Sequence, residues 1–134
     1  MTDSASLKAV MDRFTEDIWN NRRLDVVDEV FKPDATVHLE DSAVTGIEAI
    51  RDGFMRPFQA AFPDLHYDIA DLFFDGDRIA MRYIGTATHQ GDYDGKPATG
   101  KRLAYEGVAI FRMDGNQIAE VWTHTDRAAK FAAL

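Results

Sequence analysis

The stretch Asp114-Gly115-Asn116-Gln117-Ile118-Ala119-Glu120-Val121-Trp122-Thr123-His124-Thr125-Asp126 decides the fold. A tight Asp-Gly-Asn turn opens it, and strand-like alternation follows from Gln117 to Asp126. Successive side chains of a strand point to opposite faces. Glu120, Trp122, His124 and Asp126 are therefore expected on one face, and Ala119, Val121, Thr123 and Thr125 on the other. A row of carboxylate, indole and imidazole reads in two ways. It is the wet side of an antiparallel sheet, or it is the wall of a pocket that moves protons.

Upstream of that turn, Lys101 to Met113 reads as a strand. Before it come a Gly-, Asp- and Pro-rich loop over Gln90 to Gly100 and a strand over Arg78 to His89. Asp75-Gly76-Asp77 forms a second tight turn after a strand over Leu65 to Phe74. Before Pro63 the period changes. Leu7, Val10, Met11, Phe14 and Ile18 follow helical spacing, with Ser4 or Ser6 as cap. A short helix is expected over Leu24 to Phe31 and a short strand over Ala35 to Glu40. A third helix runs from Ile47 to Ala61, with Ile47, Ile50, Phe54 and Phe58 on one stripe and a kink at Pro57. Helices first and hairpins afterwards give an α+β fold, a curved, mostly antiparallel sheet wrapped around N-terminal helices. Such a sheet leaves a hollow, the usual place for a small-molecule site.

The 134 residues fit one domain, 1–134, and 46% hydrophobic residues suffice for a core. A net charge of -8 argues against nucleic acid and anionic membranes as partners and reads most simply as solubility. There is no cysteine, hence no disulfide, thiolate nucleophile or cysteine metal site. That is compatible with a reducing cytoplasm, the expected location. No apolar run approaches the roughly 20 residues of a membrane span, and the polar Met1-Thr2-Asp3-Ser4 start lacks a signal pattern.

Three stretches carry a resemblance. They are Gly85-Thr86-Ala87-Thr88-His89-Gln90-Gly91 with Gly95 to Arg102, then Tyr105 to Arg112, then Asp114 to Trp122 closing on Asp126. With the Phe62-Pro63-Asp64-Leu65 turn they resemble the SnoaL-like polyketide cyclases, within the cone-shaped NTF2-like folds. The resemblance spans nearly the whole chain. It implies a cone pocket and an intramolecular aldol closure whose acid/base is a carboxylate ending the last strand, matched by Asp126. A histidine that some cyclases carry within the stretch matching Val108 to Phe111 is absent, and Ala109 stands there.

An aldol closure needs a base beside a carbonyl and a donor for the enolate oxygen. Asp126 is the candidate base, raised by an apolar setting, or else the cap of the following helix. His124 would orient it or share its proton. Trp122, His89, Tyr105, His38, Phe54, Phe58 and Tyr83 are candidate substrate contacts, His89 alternatively bonding the loop that follows it. His38 and Glu40 share a face in a His-x-Glu pair, but no metal site is expected, and no phosphate loop or Gly-x-Ser-x-Gly element exists. The leading expectation is a cofactor-free cyclase-type or isomerase enzyme acting on a small, largely apolar carbonyl compound. An epoxide hydrolase or ketosteroid isomerase-like enzyme is the enzymatic rival, with Arg82 and Asp68 as its candidates. A ligand-binding or dimerisation module is the other rival, favoured if Asp126 is exposed and His124 points outward. A homodimer is expected, pairing through Ala119, Val121, Thr123 and Thr125 with Val108 and Ile110.

Overall fold

The computed structural model describes residues 3–134. Helix α1 spans Ser4–Asp12 and continues as a π-helical stretch, Arg13–Asn20. Its cap is Asp3, whose carboxylate accepts from the Ser6 N–H at 2.8 Å; Ser4 and Ser6 lie inside the first turn. A 3-10 turn, Leu24–Val26, leads into α2, Val27–Val30. Strand β1 is Phe31–His38 and β2 is Ala43–Thr45. A second π-helical stretch, Ala49–Met55, passes into α3, Arg56–Ala61. Pro57 falls in the first turn of α3, directly after the π-helical stretch. The expected kink is thus a change of helix type.

The hairpin half follows the sequence closely. Strand β3 is His66–Asp75, β4 is Arg78–Thr88, β5 is Arg102–Asp114 and β6 is Gln117–Thr125. Gly76 and Gly115 take positive φ in the two turns, as a tight hairpin requires. Helix α4, Arg127–Ala132, closes the chain. The six strands run in the order β2-β1-β6-β5-β4-β3. All neighbours are antiparallel except β1 and β6, which are parallel. The helices cover one side, with Met11, Ile18, Ile50, Phe58 and Phe62 fully buried against the sheet's Phe31, Phe111 and Ile118.

The face of β6 that is buried is not the one the alternation suggested. Arg112 pairs with Glu120, but the next residue, Met113, pairs with Ile118, so Ala119 is an extra residue in a bulge. Beyond it Val121, Thr123 and Thr125 oppose the inward Phe111, Ala109 and Gly107. Trp122 and His124 oppose Ile110 and Val108 on the outer face. The small β-branched row expected to pair with a second copy is therefore turned into the protein. Among the described residues the large apolar side chains left exposed are Phe73, Ile84 and Val108. No helix among the described residues is long and apolar enough to cross a membrane.

Candidate functional site

Inward-facing residues of β1 and β3 to β6, together with the helices, enclose an apolar cavity. Its cavity volume is about 50 Å³, within a wider hollow partly open to solvent. Phe14, Trp19, Phe31, Phe54, Met55 and Met81 supply most of the apolar wall, and Tyr67, Tyr83, Thr123, Thr125 and Arg127 the polar part. Two glycines make room for the phenols. A Cβ on Gly107 would stand 2.6 Å from the Tyr83 hydroxyl, and one on Gly85 would stand 2.7 Å from the Tyr67 ring. Neither distance is possible for a real side chain, so glycine at these strand positions lets the rings lie against the sheet. The Tyr67 and Tyr105 hydroxyls bond each other in the buried interior. Asn20 clamps the backbone of Tyr67, accepting its N–H at 2.7 Å and donating to its carbonyl at 2.9 Å.

Arg127 is the unusual member of the site. Its side chain is only 15% exposed and lies over the Phe58 ring at 4.8 Å and the Phe54 ring at 5.9 Å. It follows Thr125 by two residues, and the chain keeps it on the inner side as β6 gives way to α4. Its guanidinium reaches Glu40 at 3.4 Å, and its backbone N–H donates to Thr125 Oγ1 at 3.0 Å. Thr125 Oγ1 in turn donates to Glu40 Oε1 at 2.6 Å. Burial opposes the Arg127 charge. The oxygens of Tyr67, Tyr105 and Glu40 outweigh it, and the arginine pKa sits above its ordinary value. Arg127 and Leu39 also border a second, outer cleft walled by Phe58, Phe62, Tyr93 and Phe131.

Burial holds all four tyrosines, Tyr67, Tyr83, Tyr93 and Tyr105, above the ordinary phenol pKa. Their hydroxyls therefore stay protonated and able to donate at neutral pH. A raised folded-state pKa contributes stability that is fully present below the unfolded value, near pH 10, and is lost as pH rises through the folded value. Phenolate absorbance is thus expected to lag behind that of the urea-unfolded chain and to emerge together with loss of secondary structure. Independent titration of the four phenols near pH 10 in the folded protein would contradict this.

Of the nine residues the sequence nominated, the cavity takes Phe54 and Tyr83 as wall. Tyr105 backs it through Tyr67, and Phe58 lines the outer cleft under Arg127. The others lie elsewhere. Asp126 is exposed, and its Oδ1 accepts the Glu106 N–H at 3.1 Å. Its carboxylate neither enters the cavity nor caps α4 by a side-chain bond. His124 is exposed on the outer face. Trp122 also faces out, stacked on His38 at 5.4 Å between centroids, with Arg78 over its ring. His38 bonds Glu120 at 2.6 Å, so it turns away from Glu40 and the His-x-Glu pair is split. His89 is fully buried, with Nδ1 against Thr99 at 3.1 Å, which is the structural bond to the following loop. Arg82 pairs with Asp71 and Glu106, and Asp68 with His66, all exposed, so the hydrolase candidates do not converge. The physical reason for the displaced row is the bulge at Ala119 together with the inward register of β5.

Sequence reasoning missed Arg127, Tyr67 and Trp19. The parity signal for Arg127 was present, since it lies two residues beyond Thr125 on the row that proves to be inner.

A family model described as SnoaL-like polyketide cyclase matches residues 9–134. The chain belongs to this family. Among curated proteins none matches it. A proposed polyketide cyclase of Acidithiobacillus ferrooxidans is 31% identical, with a TM-score of 0.86, covering 100% of this chain and 97% of that one. AclR, a proposed hydroxylase of Streptomyces galilaeus, is 29% identical at a TM-score of 0.80, covering 93% and 81%. A proposed SnoaL-like polyketide cyclase of Jannaschia sp. CCS1 shares the fold at a TM-score of 0.88 and 23% identity, covering 96% and 91%. The cavity of this SnoaL-like protein thus sits in a fold shared with proteins named for different reactions, and its own residues have to carry the functional argument.

Proposed function

We propose that this SnoaL-like protein binds a small, largely apolar carbonyl compound in the cone cavity. It would promote proton transfer beside the carbonyl, as in an intramolecular aldol closure. One observation carries the reading: a mostly buried guanidinium, Arg127, stands at the edge of a largely apolar cavity. A cation in such a setting suits an oxygen on which negative charge develops. Tyr83, whose protonated hydroxyl reaches the wall, is a second donor. Membership in the polyketide cyclase family points to the same chemistry.

Binding without turnover is the second reading. It is supported by the exposed Asp126 and outward His124 and because, among the described residues, no carboxylate or imidazole lines the cavity itself. The ketone 2-tetralone separates the two. It is apolar, enolisable and small. Trp19 lines the cavity while Trp122 lies on the outer face, so Trp122→Phe leaves the cavity tryptophan as the sole reporter. Titration is expected to quench Trp19, and the unmodified protein is expected to speed exchange of the ketone's α-hydrogens in heavy water. Quenching without faster exchange would establish the binding module. No quenching would remove the cavity as the site.

A further inference from the structure

We infer that Glu40, in the outer cleft beside Arg127, is the proton acceptor for a substrate held at the Arg127 edge of the cavity. This rests on the reading that the cavity takes an enolisable carbonyl compound. The cyclase chemistry needs a base, and the expected one, Asp126, is spent on the Glu106 N–H at the surface. Glu120 is tied to His38 and Arg112, and Glu106 to Arg82, on the outer face. Glu40 differs from these. Both of its carboxylate oxygens are held by cavity-wall residues, Oε1 by Thr125 at 2.6 Å and Oε2 by Arg127 at 3.4 Å. It lies just beyond the end of β1, where the chain turns from the outer face of His38 toward the end of β6. Its side chain is 26% exposed and lines the outer cleft, which shares Arg127 with the cavity.

The pair divides the labour. A guanidinium carries five N–H donors, and one long contact to Glu40 leaves others for a substrate oxygen. Glu40 removes a proton from the carbon next to the substrate carbonyl. The C–H electron pair becomes a C=C bond and the carbonyl π pair moves to oxygen, beside Arg127. The enolate's C=C π pair then forms the new C–C bond to a second carbonyl carbon of the same molecule, and the pair on the first oxygen re-forms the first C=O. The π pair of that second carbonyl moves to its oxygen, which takes the proton back from Glu40. Nothing is gained or lost, so the net change is an isomerisation and requires no co-reactant.

The test is α-hydrogen exchange of 2-tetralone by Glu40→Gln. Glutamine keeps an oxygen for Thr125 but is no base. Exchange is expected to fall about 100- to 10,000-fold, the usual share of a general base, while quenching of Trp19 by the ketone keeps its wild-type midpoint. Glu40→Asp keeps a carboxylate with shorter reach and is expected to exchange faster than Glu40→Gln; it carries the test if the glutamine variant melts early. Wild-type exchange rates in Glu40→Gln would overturn the assignment and leave the cavity reading standing. So would a collapse in Asp126→Asn that Glu40→Gln does not share, or a Glu40→Gln defect confined to binding. A wild-type protein that binds 2-tetralone without speeding exchange would overturn both.

Discussion

Replacing Phe58 by alanine is expected to cost about 3–5 kcal/mol of folding stability, the range for an aromatic side chain removed from a packed core. Phe58 is 1% exposed. Its ring meets Phe62 at 4.8 Å, Tyr93 at 5.3 Å, Phe54 at 6.1 Å and Trp19 at 6.1 Å. It therefore joins helix α3 to the π-helical stretches and to the loop after β4. It also forms the floor under Arg127 at 4.8 Å. Truncation would leave a void that these rings cannot fill without giving up their present packing. Urea denaturation is the measurement. A midpoint shift worth less than about 1 kcal/mol, as for a surface change, would show that the site collapses onto the gap. Phe73→Ala, at 66% exposure, is the matched control and should change stability little.

Arg127→Met is expected to weaken binding of 2-tetralone by about 10- to 150-fold, corresponding to about 1.5–3 kcal/mol for a hydrogen bond to a charged group. Methionine keeps an unbranched apolar stem over Phe58 and removes only the cation. Tetralin, the same ring system without the carbonyl, supplies the decisive comparison. It should bind Arg127→Met at least as well as the wild type, because the loss falls on the oxygen. Equal weakening of ketone and hydrocarbon would mean that Arg127 only shapes the cavity. Removing the cation also strips Glu40 of its charge partner. Arg127→Met is therefore read beside the double variant with Glu40→Gln, which leaves no unpaired carboxylate.

The hairpin half of the fold was legible because its signals are local. Asp75-Gly76-Asp77 and Asp114-Gly115-Asn116 have the residues that positive φ demands, and the strands between them keep a period of two. The helices were legible from their apolar spacing. Their type was not, since π-helical stretches at Arg13–Asn20 and Ala49–Met55 bury the same faces as α-helix would. Strand β2 was missed. Three residues carry no period, and Ala43–Thr45 is a strand only because β1 lies beside it. The row nominated on the last strand lies on the outer face. Phe54 and Tyr83 line the cavity because they belong to long inward stripes. Trp122, His124 and Asp126 were misplaced because alternation fixes which residues share a face but does not say which face is covered.

The sequence by itself determined the order of elements apart from β2, the α+β class, the two tight turns and membership in the SnoaL-like polyketide cyclase family. All of these depend on neighbours within a few residues or on a pattern along the whole chain. Only the tertiary structure decided the direction of the last strand's faces. The bulge at Ala119 and the register with β5 turned Val121, Thr123 and Thr125 inward and sent the histidine and the tryptophan out. It also brought Glu40 and Arg127 together across 87 residues of chain. No local signal encodes such a pair, since it exists only because β1 runs parallel to β6 and both end at the same edge of the cavity.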